Sequence, residues 1–280
     1  MQTHPQQINA TPTRALLIGL AAVAPFLSIA LLGTNFFAAL APLFLSHMLL
    51  LYPTLVANCQ WWGPVVTRFQ TSEREVWLTI DDGPSPEHTP PMLDLLEQFN
   101  ARATFFVIGQ SAEKHPHLIT EILARGHALA NHTHTHPSFT FWCATAQTIR
   151  EEIDRCAETL RTTPERPAHY FRAPAGMKNP FVHPALARRG LALIGWSVRG
   201  IDTVKRDPAR VAQRIEKSVT PGAIVLLHEA HYVTSDPGFQ PRCLELTLQR
   251  LSARGYKFII PRPEQLRTCL AIRQRQVNRP

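Results

Sequence analysis

The feature of this sequence that most constrains its fold is a regular alternation of short apolar runs with amphipathic segments, which begins at residue 76. The apolar runs predict strands at 76–80, 103–108, 128–131, 170–172, 192–196, 223–227 and 256–260. The segments between and after them predict helices at 91–99, 112–125, 145–161, 180–189, 208–218, 241–254 and 263–272. Five of these helices begin at a proline, which suits the first helical turn. Strand–helix units in succession predict a parallel α/β sheet, either open and doubly wound or closed into a complete or partial barrel.

Two uncharged apolar stretches, 15–32 and 36–57, precede this region and are separated by a short Gly-Thr-Asn turn. Each is about as long as the ~17 to 25 residues that cross a bilayer as a helix. The apolar core of a cleaved signal peptide is shorter, about 7 to 15 residues, and follows more positive charge than Arg14 supplies. We therefore expect residues 14–58 to form a membrane-embedded hairpin, after a disordered N-terminus at 1–13.

The charges that flank the hairpin predict its orientation. Its turn carries no charge, whereas Arg14, Arg68 and Arg74 lie on the outside. Positive charge favours the cytoplasmic side, so we expect both flanks and the following soluble domain, 73–262, on the cytoplasmic face of a bacterial inner membrane. A single crossing would reverse this orientation, and prolines within both stretches leave kinked or shallow helices open.

A formal net charge of +8 indicates an anionic partner, such as phosphate headgroups, phosphorylated lipid carriers or nucleic acid. The arginines are spread through the sequence without a basic block or aromatic interleaving, which makes nucleic acid an unlikely partner. The basic C-terminal helix or tail at 263–280 is typical of a solvated face, or of a segment that pairs with anionic lipid. The five cysteines include no Cys-x-x-Cys pair, which argues against a disulfide scaffold and favours a reducing compartment.

The first predicted strand ends in a pair of carboxylates, in the sequence Thr79-Ile80-Asp81-Asp82-Gly83-Pro84. Neighbouring side chains inside a strand point to opposite faces, but a residue at the strand's end and one in the following turn can reach the same cavity. Two like charges in one cavity favour a bound cation, or a proton on one of them. The alternative is an Asx-Gly-Pro turn that closes a strand without chemistry.

Other polar residues occupy the same end of the predicted strands. They are His132 and His136 after the third strand, Arg172 at the fourth, Trp196 at the end of the fifth and His228 after the sixth. In parallel α/β folds these carboxyl ends share one face, where active sites are built. The sequence therefore predicts one site to which all of these residues contribute.

The histidines of His132-Thr133-His134-Thr135-His136 allow two geometries. A continued strand would place all three on one side, whereas a helical turn would bring His132 and His136 together and turn His134 away. The proline that follows them and the end of the strand favour the turn. With Asp82, the two histidines would form a His/His/carboxylate set with open positions for water. The alternative is three polar loop histidines without a ligand role.

These motifs, taken together, resemble those of a known family. Their order and spacing are similar to five motifs of the polysaccharide deacetylases with a NodB homology domain, carbohydrate esterase family 4. The motifs read here Ile80-Asp81-Asp82-Gly83-Pro84, His132-Thr133-His134-Thr135-His136-Pro137, Phe171-Arg172-Ala173-Pro174-Ala175-Gly176, Trp196 and Leu226-Leu227-His228. The resemblance implies a distorted (β/α) barrel of about seven strands. It also implies metal-dependent removal of an N- or O-linked acetyl group from a sugar.

Carried over by position, the resemblance implies roles for the polar residues. Asp82, His132 and His136 would bind a divalent metal, with zinc as the first candidate and cobalt, nickel or manganese as others. Asp81 would be the general base, and Arg172 would hold it ionised and oriented.

The remaining motif residues are expected at the acid and substrate positions. His228 is placed to protonate the leaving amine. Pro174, Ala175 and Trp196 would contact the sugar. Leu226, two residues before His228 and on the same strand face, would line the pocket for the acyl methyl group, although an ordinary core leucine is an equal alternative.

Two positions depart from the family pattern. The family commonly has an aromatic residue at the position of Ala175, and alanine leaves a wider groove, which argues against the usual polymer substrate. An acidic partner for His228 is not obvious in the sequence. Asp202 is our candidate, with a loop cap before the next helix as the alternative.

The sequence therefore predicts a membrane-attached, metal-dependent deacetylase. The hairpin, the arginines and Ala175 favour an amphiphilic substrate, such as an amino sugar on a lipid carrier or a glycolipid. Two alternatives are a catalytically silent membrane protein that binds sugar in the same cleft, and an amidase or deformylase of the same mechanism. The presence of a base, ligands and an acid favours the enzyme.

Overall fold

The computed structural model describes residues 12–161, 169–204, 207–229 and 236–266. The predicted disordered N-terminus and the predicted basic tail lie for the most part outside these residues, as does most of the helix predicted at 263–272. Two apolar helices come first, and alternating strands and helices follow.

The helices and strands have the following bounds. The helices are α1 (Pro12–Leu32), α2 (Phe36–Leu55), α3 (Thr89–Gln98), α4 (Gly109–Lys114), α5 (Pro116–Ala124), α6 (Ala146–Arg161), α7 (Val182–Arg189), α8 (Pro208–Ser218) and α9 (Phe239–Ala253). The strands are β1 (Glu75–Asp81), β2 (Ala103–Val107), β3 (Ala128–Asn131), β4 (Tyr170–Phe171), β5 (Ala192–Leu193), β6 (Val198–Arg199), β7 (Ala223–His228) and β8 (Lys257–Phe258). Short 3-10 turns, Phe141–Cys143 and Pro174–Gly176, lie in the loops after β3 and β4.

The two N-terminal helices pack against each other as a hairpin. The side chain of Asn35 caps α2 by accepting hydrogen bonds from the N–H groups of Phe37 and Ala38, at 2.9 and 3.1 Å. Both helices are long and apolar enough to cross a membrane, and only 17% of each apolar window is buried. They therefore differ from the core helices of a soluble domain, which pass the same length and composition criteria but are mostly buried.

The strands form a parallel half-barrel in the order β5-β4-β3-β2-β1-β7-β6, and β8 pairs with the start of β1. The segment that follows the hairpin connects two regions of this sheet. Val66 forms a parallel bridge with Ile194, directly after β5, and Arg68 forms an antiparallel bridge with Ala223, the first residue of β7. The distorted (β/α) barrel that the family resemblance implies is confirmed, and it is a parallel half-barrel.

Alternation along β1 explains how a buried strand supplies polar groups to the interior. Val76, Leu78 and Ile80 belong to the outer core between the sheet and the helices, where burying each such side chain contributes roughly 1.5–3 kcal/mol. Trp77 belongs to a second cluster, which fills the inside of the half-barrel. Asp81 shares the inner face with Trp77 because it lies four residues further along the strand.

The structure departs from the predicted elements most clearly in two places. The helix predicted at 112–125 is instead α4 and α5, which meet at His115 (φ −129°, ψ 56°). Pro116 explains the break, because a proline disfavours helical geometry in the residue before it. The strand β6 was not predicted, since two residues carry no periodic pattern, and its pairing with Val225 and Leu226 of β7 defines it as a strand.

Candidate active site

The end of β1 brings two adjacent aspartates into one cavity. Asp81 is the last residue of the strand and pairs in register with His228, the last residue of β7. Asp82 has φ 75°, in the left-handed region that aspartate tolerates better than most residues. As a result, His132 Nε2 lies 3.7 Å from Asp81 Oδ2 and 3.4 Å from Asp82 Oδ1.

The loop after β3 brings His132 and His136 together without the predicted helical turn. Thr133 and His136 both have positive φ, 68° and 55°, and these two residues reverse the chain. The imidazole rings of His132 and His136 are 4.7 Å apart. His134 points elsewhere and is buried, with its Nε2 3.9 Å from Glu113 Oε2.

Asp82, His132 and His136, hereafter the ligand cluster, fit a metal ion. Their ligand atoms all lie within 4.8 Å of one another. Asp82 Oδ1 is buried, 3.4 Å from His132 Nε2 and 3.2 Å from His136 Nε2, and has no hydrogen-bond partner among the described residues. A buried carboxylate oxygen between two imidazole nitrogens is a donor set that zinc and similar divalent ions prefer.

The second nitrogen of each ligand histidine is engaged, which directs Nε2 toward Asp82. His132 Nδ1 lies 2.9 Å from the carbonyl oxygen of Arg172, and His136 Nδ1 lies 3.0 Å from Ser138 Oγ. The contact with a carbonyl requires a proton on His132 Nδ1, so the lone pair of that ring is on Nε2.

The protonation states of His136 and Asp82 also suit a cation. Burial, together with the nearby His132, lowers the pKa of His136 to about 4, so this imidazole is neutral near pH 7. Burial opposes ionisation of Asp82, but the interaction with His132 and the charges of the neighbouring histidines hold its pKa well below the usual range. Neutral imidazoles and an ionised carboxylate are the forms that bind metals.

Arg172 orients Asp81. This fully buried guanidinium donates from Nη1 to Asp81 Oδ1 at 2.6 Å and to Thr79 Oγ1 at 2.9 Å. Its Nη2 and Nε donate to the carbonyl oxygens of Gly195 and Ile194, at 3.0 and 3.3 Å. Arg172 therefore ties the aspartate to the strand end that carries Trp196, whose ring lies 5.8 Å from the guanidinium carbon.

Asp202 lies against His228. Its carboxylate accepts a hydrogen bond from the His228 backbone N–H at 2.7 Å, and its Oδ1 lies 3.0 Å from His228 Nδ1. Burial opposes protonation of His228, but Asp202 and the charges of Asp82 and Asp81 raise its pKa to about 9. His228 is therefore protonated near pH 7, with Nε2 as the nitrogen that does not face Asp202.

The expected substrate residues occupy two environments. Trp196 and Leu226 belong to the apolar cluster inside the half-barrel, and Leu226 is only 2% exposed. Pro174 and Ala175 form the 3-10 turn after β4, where Ala175 is exposed and has φ 51°. The structure thus places Leu226 under the site and Ala175 at its rim, and their contacts with substrate stay predictions.

Glu152 of α6 supports the loop that carries His132 and His136. The sequence analysis did not identify it. Its Oε2 accepts hydrogen bonds from the N–H groups of His134 and Thr135, at 2.9 and 2.8 Å. Its Oε1 accepts from the Thr135 hydroxyl at 2.7 Å. A glutamate on the polar face of an amphipathic helix carries no sequence signal for such a role.

Glu229, the residue after His228, supports the turn that follows Asp82. Its Oε2 accepts hydrogen bonds from the Ser85 N–H at 3.1 Å and the Thr89 hydroxyl at 2.7 Å. Burial raises its pKa to about 7. A Cβ at position 83 would lie 2.3 Å from Glu229 Oε1, so the turn requires the glycine of the Asp-Asp-Gly-Pro motif.

The match to known proteins agrees with this geometry. The profile of the family described as polysaccharide deacetylase matches residues 69–194. A chitooligosaccharide deacetylase of Bradyrhizobium sp. (strain ANU 289) is 36% identical over 189 residues, which cover 67% of this chain and 84% of that protein. The chain belongs to the polysaccharide deacetylase family. The family resemblance of the sequence motifs is thereby confirmed.

Further similarities extend across this family. The peptidoglycan-N-acetylglucosamine deacetylase PgdA of Listeria monocytogenes serotype 1/2a (strain 10403S) is 33% identical over 199 residues, which are 70% of this chain and 40% of that protein. The structure of a family 4 carbohydrate esterase from Streptomyces lividans in complex with acetate matches with a TM-score of 0.61 at 27% identity. That match covers 69% of this chain and 95% of the esterase.

Proposed function

We propose that this member of the polysaccharide deacetylase family is a membrane-attached hydrolase that removes an acetyl group from an acetylated sugar with the help of a divalent metal. The observation that carries the proposal is the meeting of seven residues from five strand ends in one place. They are Asp81 and Asp82 after β1, His132 and His136 after β3, Arg172 after β4, Asp202 after β6, and His228 at the end of β7. The deacetylase names of the relatives support an N-acetylated amino sugar as substrate, with an O-acetyl group as the alternative.

The ligand cluster would hold the metal through Asp82 Oδ1 and the Nε2 atoms of His132 and His136. Zinc is the first candidate for this mixed nitrogen and oxygen set, and cobalt, nickel or manganese could replace it. When bound, such an ion lowers the pKa of water from ~15.7 toward about 7 and polarises the acyl carbonyl.

Asp81 is the proposed general base. Its Oδ1 is occupied by Arg172 at 2.6 Å, whereas Oδ2 faces the ligand cluster, 3.7 Å from His132 Nε2. Oδ2 would therefore accept the proton of the attacking water. The buried guanidinium holds the orientation of the carboxylate through this hydrogen bond.

His228 is the proposed general acid. An amine leaves the tetrahedral adduct poorly unless it is protonated, and the raised pKa keeps His228 charged near neutral pH. Because Nδ1 faces Asp202, Nε2 would deliver the proton. Trp196, Pro174 and Ala175 would border the sugar, and Leu226 would lie near the acyl methyl group.

The hairpin is the proposed membrane attachment. Its two helices have the length and composition of spans, and their large side chains are mostly exposed; Phe37 and Phe26, for example, are 80% and 72% exposed. The flanking arginines support a cytoplasmic domain. The enzyme would then act at the inner membrane of a bacterium.

Asp81 and Asp82 are adjacent but have different proposed roles, so variants of each can test the proposed mechanism. We would measure acetate release from an N-acetylated chitooligosaccharide, and bound metal, for the full chain and its Asp81→Asn and Asp82→Asn variants. Asp82→Asn is expected to lose both metal and activity. Asp81→Asn is expected to keep the metal and lose about 10²- to 10⁴-fold in kcat.

Wild-type acetate release from Asp82→Asn would end the metal mechanism. Saturable glycan binding by the wild type without metal-dependent acetate release would instead identify a silent sugar-binding protein. Release of formate rather than acetate from matched substrates would identify a deformylase.

A further inference from the structure

The exposed apolar side chains of the catalytic domain lie on one face. Among the described residues after the hairpin and its flanking Val56, the large apolar side chains that are exposed are Phe139, Phe181 and Val204, at 89%, 46% and 61%. Phe139 lies on the loop after β3, Phe181 on the loop after β4, and Val204 on the loop after β6. In a parallel barrel these loops surround the carboxyl ends of the strands, where the active site is.

The membrane hairpin ends on the same face. The Lys178 N–H donates to the carbonyl oxygen of Thr54 at 3.0 Å, and Lys178 Nζ donates to the carbonyl oxygens of Val56 and Ala57 at 3.0 and 2.8 Å. Lys178 follows the 3-10 turn of the β4 loop. The end of α2 is therefore attached to a loop at the rim of the active site.

A second contact joins the hairpin to the site itself. Asn58 Nδ2 donates to the carbonyl oxygen of Trp196 at 2.7 Å. On the other side of this strand end, Arg172 holds the carbonyl oxygen of Gly195 at 3.0 Å and also Asp81. The position of the hairpin relative to the catalytic residues is thus set by direct hydrogen bonds and does not depend on a free linker.

Aromatic residues mark the level of the bilayer surface at this junction. Tyr52, in the last turn of α2, lies with its ring centroid 5.0 Å from that of Trp61. Trp62, by contrast, is 1% exposed and packs inside the protein, where its Nε1 donates to Thr54 Oγ1 at 3.1 Å. Tyrosine and tryptophan are enriched where a membrane helix meets water. The headgroup region would therefore lie beside the loops that carry Phe181 and Trp196.

We propose that the active-site face of the domain lies against the bilayer surface, with Phe139, Phe181 and Val204 inserted at headgroup level, so that the enzyme acts on an acetamido sugar carried by a membrane lipid. This inference rests on the proposed function, because it requires a working deacetylase and an embedded hairpin. The net charge of +8 suits a surface rich in anionic headgroups. A soluble polymer would have to enter between the domain and the membrane.

The position of the face can be tested independently of catalysis. The full chain would be placed in nanodiscs that contain phosphatidylglycerol, with either normal or brominated acyl chains. A tryptophan is introduced by Phe139→Trp, or by Gln98→Trp as the matched control. Gln98 is exposed in the last turn of α3, and this turn precedes β2 and therefore lies at the end of the barrel opposite the active site. After subtraction of the wild-type emission, brominated lipid should quench the tryptophan at 139 and leave that at 98 unchanged. Equal quenching, or none at 139, would overturn the inference.

The substrate class can be tested with two acetylated probes. One is N-acetylglucosamine joined through a pyrophosphate to a polyprenyl lipid, and the other is a soluble N-acetylated chitooligosaccharide. Wild type in nanodiscs should favour the lipid probe by at least about 10²-fold in kcat/KM. The double variant Phe139→Ser/Val204→Ser should lose about 10-fold or more on the lipid probe and stay within about twofold on the soluble one.

The outcomes separate the two proposals. Metal-dependent acetate release from the soluble probe alone, or an equal effect of the double variant on both probes, would overturn the lipid-borne substrate and leave the proposed function standing. Absence of acetate release from both probes by the metal-loaded protein would overturn the proposed function, and with it this inference.

Discussion

Three residues around the candidate metal position, Asp82, Thr133 and His136, adopt left-handed backbone conformations although none is glycine. Each such conformation costs roughly 1–3 kcal/mol and persists only where surrounding contacts hold it. The Thr133 N–H donates to Asn131 Oδ1 at 2.9 Å, and the Thr133 hydroxyl accepts from the His136 N–H at 3.1 Å. Hydrogen bonds within the loop therefore help to hold His132 and His136 in place.

At the same scale, the pairing of His228 with Asp202 predicts how activity depends on pH. A general acid works in its protonated form, so the contribution of His228 is present below its pKa of about 9 and is lost as pH rises through that value. Asp202→Asn removes the carboxylate charge that raises this pKa, while burial still opposes protonation. The alkaline limb of kcat/KM against pH should move down by at least about one unit.

Asp207→Asn is the matched control for this variant. Asp207 is an exposed N-cap of α8 whose Oδ1 accepts from the N–H groups of Ala209 and Arg210, and asparagine caps helices as well as aspartate does. Its pH profile should match that of the wild type. An alkaline limb that is unmoved in Asp202→Asn would show that His228 is not the acid.

The sequence predicted which side chains come together better than it predicted the backbone that joins them. That Asp81 and Asp82 share a cavity follows from their position at a strand end, where side-chain alternation stops. The positive φ values at Thr133 and His136 could not be predicted, because these residue types rarely adopt them and no glycine marks the place. The result is that His132 and His136 meet across a reversed loop and not along a helical turn.

At the scale of elements, helix α6 contacts the loop that carries His132 and His136. Glu152 binds two backbone N–H groups and one hydroxyl of this loop, and Asn131 Nδ2 donates to the carbonyl oxygen of Ile153 at 2.9 Å. Residues that hold metal ligands in position through hydrogen bonds typically contribute about 10- to 100-fold to metal affinity. Glu152→Gln should therefore weaken zinc binding by about 10-fold or more, measured by competition with a chromophoric chelator.

The neighbouring glutamate supplies the control. Glu151 is exposed on the same helix and pairs with Gln147 one turn earlier, at 2.8 Å. Glu151→Gln should leave zinc affinity unchanged. Equal affinity in both variants would mean that the loop holds its shape without α6.

The order of most strands and helices was predictable because the longer helices have a hydrophobic period and most of them have a proline or glycine near a boundary. The prediction failed for short elements and for contacts between residues that lie far apart in the sequence. Strand β6 exists through its pairing with β7, and the break at His115 depends on one proline. Asn58 and Glu152 could not be identified either, since their partners lie 138 and 17 to 18 residues away in sequence.

At the scale of the whole molecule, an apolar hairpin and a polar catalytic face meet at one end of a half-barrel. Lys178 and Asn58 connect the end of α2 to the loops after β4 and β5, beside the strand end that Arg172 binds. These contacts fix the direction in which the site opens relative to the hairpin. An anchor on a flexible linker would leave that direction free. The hairpin and the candidate catalytic residues are therefore joined by direct contacts.

The central claim is that residues from distant parts of the chain meet around one divalent ion. The most direct measurement is anomalous X-ray scattering from crystals of the zinc-loaded full chain, recorded on both sides of the zinc edge. The account predicts one strong peak about 2.0–2.2 Å from Asp82 Oδ1, His132 Nε2 and His136 Nε2. It also predicts that Asp81 and His228 both face this peak. A peak bound by other residues, or zinc-loaded crystals without a peak at these three, would contradict it.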